Sequence, residues 1–263
     1  MYTRPTAPRS IGGVIDDAIK LYMAAFGACL VPALIGALLI AVSGGWLQLW
    51  LLQAGARPTP AQMLAIFAAP TVWIAYGGLI VVSVWSSFAI VGALIRVARG
   101  EKPTVGETLG TSLRVFPTAL FGTIISLIAL MIGLVLLIIP GLFLAGRWMY
   151  WGVSLMEERG SALDAIGRSW QLSKGNWWRG IGILTVVGIL VIVLSMVGSF
   201  CVGIVMGFAH ADRTTLIIVT QALQGIVHVF IAAASPAALV SIYFDLQLRR
   251  EGGDLAARVG NLA

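Results

Sequence analysis

Charge is what this sequence has least of. Lys, Arg, Asp and Glu make up 11% of its 263 residues, against about 25% in ordinary soluble domains. Histidine is scarcer still, with His210 and His228 alone. The eleven acids lie almost entirely outside the apolar runs, so no carboxylate–histidine metal centre is expected, and no cofactor. The two cysteines, Cys29 and Cys201, each sit inside an apolar run, which excludes a disulfide framework or a cysteine metal motif. No Ser-His-Asp order, Cys-x-x-Cys spacing or phosphate loop is present either, so the chain reads as non-enzymatic. The net charge is +6, yet no basic run is dense enough to follow a phosphate backbone, which argues against nucleic acid as a partner.

Long uncharged runs fill the space that charge leaves. Residues 21–56, 62–95, 115–146 and 180–209 contain no acid or base, and 214–244 carries only His228. A helix needs roughly 20 apolar residues to cross the hydrocarbon core, and mean hydropathy is +0.96. The expected fold class is therefore all-α: a polytopic membrane protein with six transmembrane helices near 26–48, 72–97, 118–139, 142–156, 180–208 and 216–244. Pro140-Gly141 reads as the turn between the third and fourth. Of the 17 Lys and Arg residues, fourteen fall in the N-terminal arm, the segments 96–114 and 159–179, and the C-terminal end. Arg57 and Arg213 alone occupy the opposite loops. By the positive-inside rule both termini are expected in the cytoplasm. The N-terminal residues 1–10 do not read as a signal peptide, because the apolar run after them is too long and lacks a cleavage site.

A repeated unit precedes alternate spans. Asp17-Ala18-Ile19 leads to Phe26, Glu107-Thr108-Leu109 to Phe116, and Asp164-Ala165-Ile166 to Trp177. Each acid sits early in a short amphipathic segment expected to lie on the cytoplasmic side of the interface. In the first, Ile11, Val14, Ile15, Ala18, Ile19 and Tyr22 form an apolar stripe opposite Asp16, Asp17 and Lys20; in the third, Leu163, Ile166 and Trp170 oppose Asp164, Arg168 and Gln171. Thr104-x-x-Glu107 and Ser161-x-x-Asp164 have the spacing of capping boxes. One interfacial helix plus two spans, taken three times, divides the single transmembrane domain at 10–100, 101–160 and 161–251, with a cytoplasmic tail at 252–263. Trp46 and Trp50 mark one interface, and Trp170, Trp177 and Trp178 the other.

Three groups of polar residues are candidate sites. Arg147 is the one Lys or Arg inside an expected span, where a charge requires a partner. It reads either as a contact for a lipid phosphate or anionic substrate, or as a structural residue that snorkels or stacks on Trp151. Gln221, Gln224, His228 and Ser235 share one face of the last span, as a cavity lining or as hydrogen-bonding glue between helices. Counting inward from the same surface puts Arg147 and Gln221 at similar depth, about 7–9 Å, so a meeting of Arg147 with Gln221 or Gln224 is expected. Finally, Asp245/Arg249 and Gln247/Glu251 are i,i+4 pairs on a helical extension. With Tyr243 and Arg250 they make a candidate docking motif for a cytoplasmic protein or anionic headgroups.

Several of these segments carry a resemblance. Residues 140–148 (PGLFLAGRW), 165–179 (AIGRSWQLSKGNWWR), 243–255 (YFDLQLRREGGDL) and 10–19 together resemble the bacterial glycerophosphoryl diester phosphodiesterase membrane-domain family. The resemblance covers about residues 10–255. It implies the membrane module alone, without the soluble phosphodiesterase domain, and a place in the bacterial inner membrane. The expected role is a scaffold or accessory subunit that organises partner proteins or membrane lipids. The alternative is a transporter or lipid-handling protein using Arg147 and the Gln221/Gln224/His228 stripe.

Overall fold

Backbone N–H and C=O groups in hydrocarbon must pair within their own segment, which leaves the helix as the form open to these uncharged runs. The computed structural model describes residues 2–54, 59–136, 138–209 and 211–260. Arg57 and His210 lie outside them, as do the side chains from Glu251 onward. Among the described residues the chain is all helix: α1 (Ile11–Ala54), α2 (Pro60–Ala68), α3 (Pro70–Ala98), α4 (Val105–Leu136), α5 (Ile138–Trp148), α6 (Trp151–Glu158), α7 (Ala162–Ser173), α8 (Trp177–Gly207), α9 (Arg213–Ile231) and α10 (Ala234–Gly260). Five segments are long and apolar enough to cross a membrane: Ile11–Gln53, Val72–Ala98, Val105–Val135, Trp177–Gly207 and Arg213–Arg250. This is a multi-pass helical membrane protein. The last segment runs through α9 into α10, with a turn at 232–233. Pro236 has no N–H to offer Ala232, which accounts for the interruption.

The fourth expected span is different. Residues 142–156 do not form one helix; α5 and α6 run back beside α4 as two pieces of 11 and 8 residues. Pro140-Gly141 is not the turn. Both residues lie in the first turn of α5, where proline's missing N–H would have had no helical partner anyway. A separate break, between α5 and α6, falls at Met149-Tyr150. There the Arg147 carbonyl accepts from the Ser169 hydroxyl at 2.8 Å and the Ser173 hydroxyl at 3.2 Å, while the Tyr150 N–H donates to Ser169 Oγ at 3.2 Å. Two serines of α7 thus satisfy backbone groups that an unbroken helix would have paired internally.

Two of the three segments expected as interfacial helices are continuous with the spans that follow them. α1 is continuous for 44 residues and α4 for 32, about 66 and 48 Å at 1.5 Å per residue; nothing before Phe26 or Phe116 stops either helix. The face of the first segment is also rotated from the expected one. Val14, Asp17, Ala18 and Leu21 point inward and Ile19 outward, with Asp17 paired to Arg9 Nε at 3.6 Å. Only α7 stands alone, because Gly175 takes a positive φ of 83° that ends the preceding turn. Its buried face is Ala162, Ala165, Ile166, Ser169, Leu172 and Ser173, leaving Leu163 and Trp170 at the outer edge. Both capping boxes form. Ser161 and Asp164 exchange bonds at the start of α7, and Thr104 N–H donates to Glu107 Oε2 at 2.8 Å while Glu107 N–H donates to Thr104 Oγ1 at 3.3 Å.

α1 packs on α3 and α9, with glycines allowing close approach. The tightest core is not in the middle of the long helices. Its largest fully buried side chains are Tyr150, Tyr243, Phe244, Leu21, Leu94, Leu155, Leu172, Ile183, Ile242, Leu246, Val14 and Val153. All belong to the end of the bundle where the charged residues gather. Further along, α8 exposes a broad apolar face that includes Ile189, Leu190, Val193 and Met196, opposite the side with Val187 and Val202 that packs inward, as a lipid-facing helix does.

Candidate functional site

Segments far apart in sequence meet at the charged end. Asp245 of α10 is at its centre, its side chain 4% exposed. Oδ1 accepts the backbone N–H of Arg9 at 2.8 Å, and Oδ2 accepts Arg249 Nε at 2.8 Å and Arg179 Nε at 3.3 Å. Those two arginines also donate to the Arg9 carbonyl, at 2.6 Å from Arg179 and 2.5 Å from Arg249. The backbone of one residue of the N-terminal arm, Arg9, is therefore held by an acid on its N–H and two guanidinium groups on its C=O. Arg4 extends the clasp, with its guanidinium 3.9 Å over the Phe244 ring and Nη2 2.9 Å from Gln247 Oε1. Burial pushes the Tyr2 phenol up to about 12, with the Asp17 carboxylate adding to the shift.

The candidate docking motif thus faces inward. Tyr243 is fully buried, with its hydroxyl donating to Glu158 at 3.1 Å, and Asp245 is enclosed. The Asp245/Arg249 pair forms as the i,i+4 spacing predicts, but inside a tertiary junction rather than on a solvated extension. Arg250 donates to the Lys174 carbonyl at 3.2 Å. Glu251, and with it the Gln247/Glu251 pair, lies outside the described side chains.

Arg147 is buried, at 5% exposed. Its guanidinium carbon sits 4.1 Å over the Trp170 ring and 5.8 Å from the Phe143 ring, and its Nε has no hydrogen-bond partner. The expected aromatic, Trp151, packs elsewhere, on Phe88 at 5.5 Å. A guanidinium enclosed by aromatic faces is stabilised by their quadrupoles in place of a counter-ion.

Arg147 and Gln221 do not meet. Gly146, beside Arg147, lies against Trp177 and Ile181 at the start of α8, whereas Gly198 far along that helix touches Val227 of α9. Those two levels are 17 residues apart, about 25 Å, and Gln221 is further still. Counting depth from a common surface fails because α5 does not begin at the level where α9 begins. Gln221 instead is buried against Gly44 and Gly45 of α1, and His228 lies near Gly36 and Ser86. Gln224 is exposed, so the predicted stripe divides between a helix seam and the outer surface. Ser86 donates to the Pro32 carbonyl at 2.6 Å, and Tyr22 to the Phe230 carbonyl. These are cross-links between helices.

Charge-assisted hydrogen bonds from the Ser161 hydroxyl and backbone hold the Asp164 carboxyl below its ordinary range. The sign follows: the cap of α7 is fully formed at neutral pH and weakens as pH falls through that lowered value. Among the described residues no three of His, Cys, Asp and Glu converge on a common point. Comparison with family models, with curated proteins and with solved structures gave no match to this chain.

Proposed function

We propose that this protein is a non-enzymatic scaffold or accessory subunit of the bacterial inner membrane, built to present a rigid charged face to partner proteins or lipids. One observation carries the reading: the best-packed part of the molecule is the charged end, where Asp245, Arg9, Arg179 and Arg249 lock three segments together, the N-terminal arm, α8 and α10. A gated carrier needs an element free to move between two arrangements, and this junction is cross-linked at every segment. The transport reading needs Arg147 and the α9 stripe on one path; the 17-residue separation along α8 counts against it. The resemblance to the phosphodiesterase membrane-domain family, which implies a module that accompanies other domains, agrees with an accessory role. Detergent-free extraction into lipid nanodiscs followed by native mass spectrometry tests the proposal. A stoichiometric protein partner is the expected result. Recovery of the chain alone, with solute uptake into proteoliposomes that Gln221→Leu abolishes, would overturn it in favour of transport.

The orientation proposed places the charged end in the cytoplasm. Its support is the concentration of basic residues there, joined by direct contacts such as Arg99–Glu157 at 2.9 Å and Arg168–Glu158 at 2.9 Å. We expect single cysteines at positions 104 and 168 to resist an impermeant external reagent and cysteines at 57 and 213 to react. The reverse pattern would refute the orientation. The threefold repeat is kept as part of this proposal, supported by the two matching capping boxes at Thr104 and Ser161.

A further inference from the structure

Three arginines converge on a small polar cavity that the scaffold reading leaves unexplained. It lies where the end of α3, the start of α4 and the end of α6 come together, with a volume of about 190 Å³. Arg96, Arg99 and Arg159 line it with Thr108, Thr111 and one carboxylate, Glu101. Arg96 donates to Thr111 Oγ1 at 3.2 Å, which fixes one guanidinium toward the cavity. The carboxylates around it do not neutralise this lining evenly. Arg99 has a close ion pair with Glu157 at 2.9 Å, but the pairs of Arg96 are long, 3.5 Å to Glu107 and 3.9 Å to the half-exposed Glu101. Among the described residues Arg159 forms no ion pair at all.

The backbone at Arg159 supplies a second observation. It closes α6 in the left-handed region, φ 54° and ψ 31°, and is the one non-glycine residue at positive φ among those described. Glycine, which takes this conformation without strain, is the very next residue, Gly160. A helix end that needs only to stop would place glycine at the strained position. Here the position carries an exposed guanidinium instead, in a lining shared with Arg96 and Arg99.

We propose that this cavity binds a phosphate group. Guanidinium forks match phosphate oxygens in geometry and charge, the Thr111 hydroxyl accepts from Arg96 and keeps its proton for a remaining oxygen while that of Thr108 goes to the Thr104 carbonyl, and the volume suits one phosphate rather than a whole lipid. The phosphate belongs either to a soluble phosphomonoester or to a phospholipid headgroup, since basic pockets between helices at the cytoplasmic face take such headgroups.

Arg159→Gly is the decisive variant, because it removes the guanidinium while relaxing the backbone; Arg159→Asn, which also tolerates the left-handed region, guards against an effect peculiar to glycine. Thermal unfolding of the full chain would be followed in detergent with inorganic phosphate or glycerol phosphate against chloride of equal ionic strength. It would also be followed in phosphatidylcholine nanodiscs with and without phosphatidic acid. We expect ligand-dependent stabilisation that weakens at least tenfold in apparent affinity in both variants and is unchanged in Arg213→Gln, at the opposite end. Stabilisation by the soluble phosphates identifies a soluble ligand, and stabilisation by phosphatidic acid alone identifies the headgroup. No stabilisation by either, or equal stabilisation of Arg159→Gly and the parent chain, would overturn the proposal.

Discussion

Replacing Asp245 by alanine is expected to destabilise the protein by about 3 kcal/mol and to release the N-terminal arm. Removing one partner of a buried ion pair typically costs about 3–5 kcal/mol, because the other charge stays behind without compensation. Here two stay behind, Arg179 and Arg249, 18% and 31% exposed. Their partial access to water puts the expected cost at the lower end. The arm is affected directly. Arg9 N–H loses its acceptor at 2.8 Å, and the two guanidinium groups that grip the Arg9 carbonyl lose the carboxylate that holds them in place. Against a total stability of about 5–15 kcal/mol for a typical domain, this is a large fraction. Two measurements check it: thermal unfolding in detergent, and the rate of tryptic cleavage at the Arg9–Ser10 bond. Unchanged stability with a protected arm would show that the clasp follows from packing of Phe244 and Leu246 rather than holding the fold. Asp245→Asn should fall between alanine and the parent, since an amide oxygen can still accept from Arg9 while its NH2 opposes the arginine donors.

Asp245 also shows what the sequence could not disclose. At i,i+4 from Arg249 it reads as a solvated surface pair, and that local geometry is realised at 2.8 Å. The partners that decide its role are 236 and 66 positions away. Nothing within a helical turn of Asp245 announces them. The same asymmetry holds elsewhere. Uncharged runs longer than a span reveal the class and five of the crossing helices, because the physics of burying backbone in hydrocarbon acts on composition alone. The capping boxes at Thr104 and Ser161 are legible because their partners are three residues apart.

The broken return leg is illegible for the opposite reason. Hydropathy continues smoothly across Met149-Tyr150, and what divides α5 from α6 is a pair of hydroxyls on Ser169 and Ser173, about twenty residues on. Proline misleads in the same region: Pro140 reads as a turn, yet it lies in the first turn of α5, and Pro32 and Pro117 elsewhere also lie inside helices. A proline in a span costs one backbone pairing, which neighbouring groups can make good. Pro32 leaves the Ala28 carbonyl without its helical donor, and close by the Ser86 hydroxyl donates to the Pro32 carbonyl, tying α3 to α1. For Arg147 the need of a partner was legible from its charge. Its aromatic neighbour Trp170 was not, because that depends on α7 folding back beneath the break.

Gly180→Ala is expected to be among the most damaging single methyl additions in the chain, at about 1–3 kcal/mol for overpacking in a rigid core, and Tyr150→Phe should rescue it. A β-carbon at Gly180 would overlap the Tyr150 hydroxyl and stand 3.1 Å from its Cζ. Tyr150 cannot withdraw. It is fully buried at the junction of α5 and α6, with its N–H anchored to Ser169. Its hydroxyl has no hydrogen-bond partner, so the phenylalanine variant forfeits little and removes the atom that collides. Tyr150→Phe alone should therefore be near neutral, and the double variant should recover most of the loss, a coupling that a double-mutant cycle on thermal unfolding measures directly. Gly182, two residues on and about 200° round the same α8, has nothing near its Cβ position, and Gly182→Ala should be neutral or slightly stabilising through helix propensity. If Gly180→Ala and Gly182→Ala behave alike, or if Tyr150→Phe fails to relieve the former, the close approach of α8 to the α5–α6 break is not what sets the packing of the charged end.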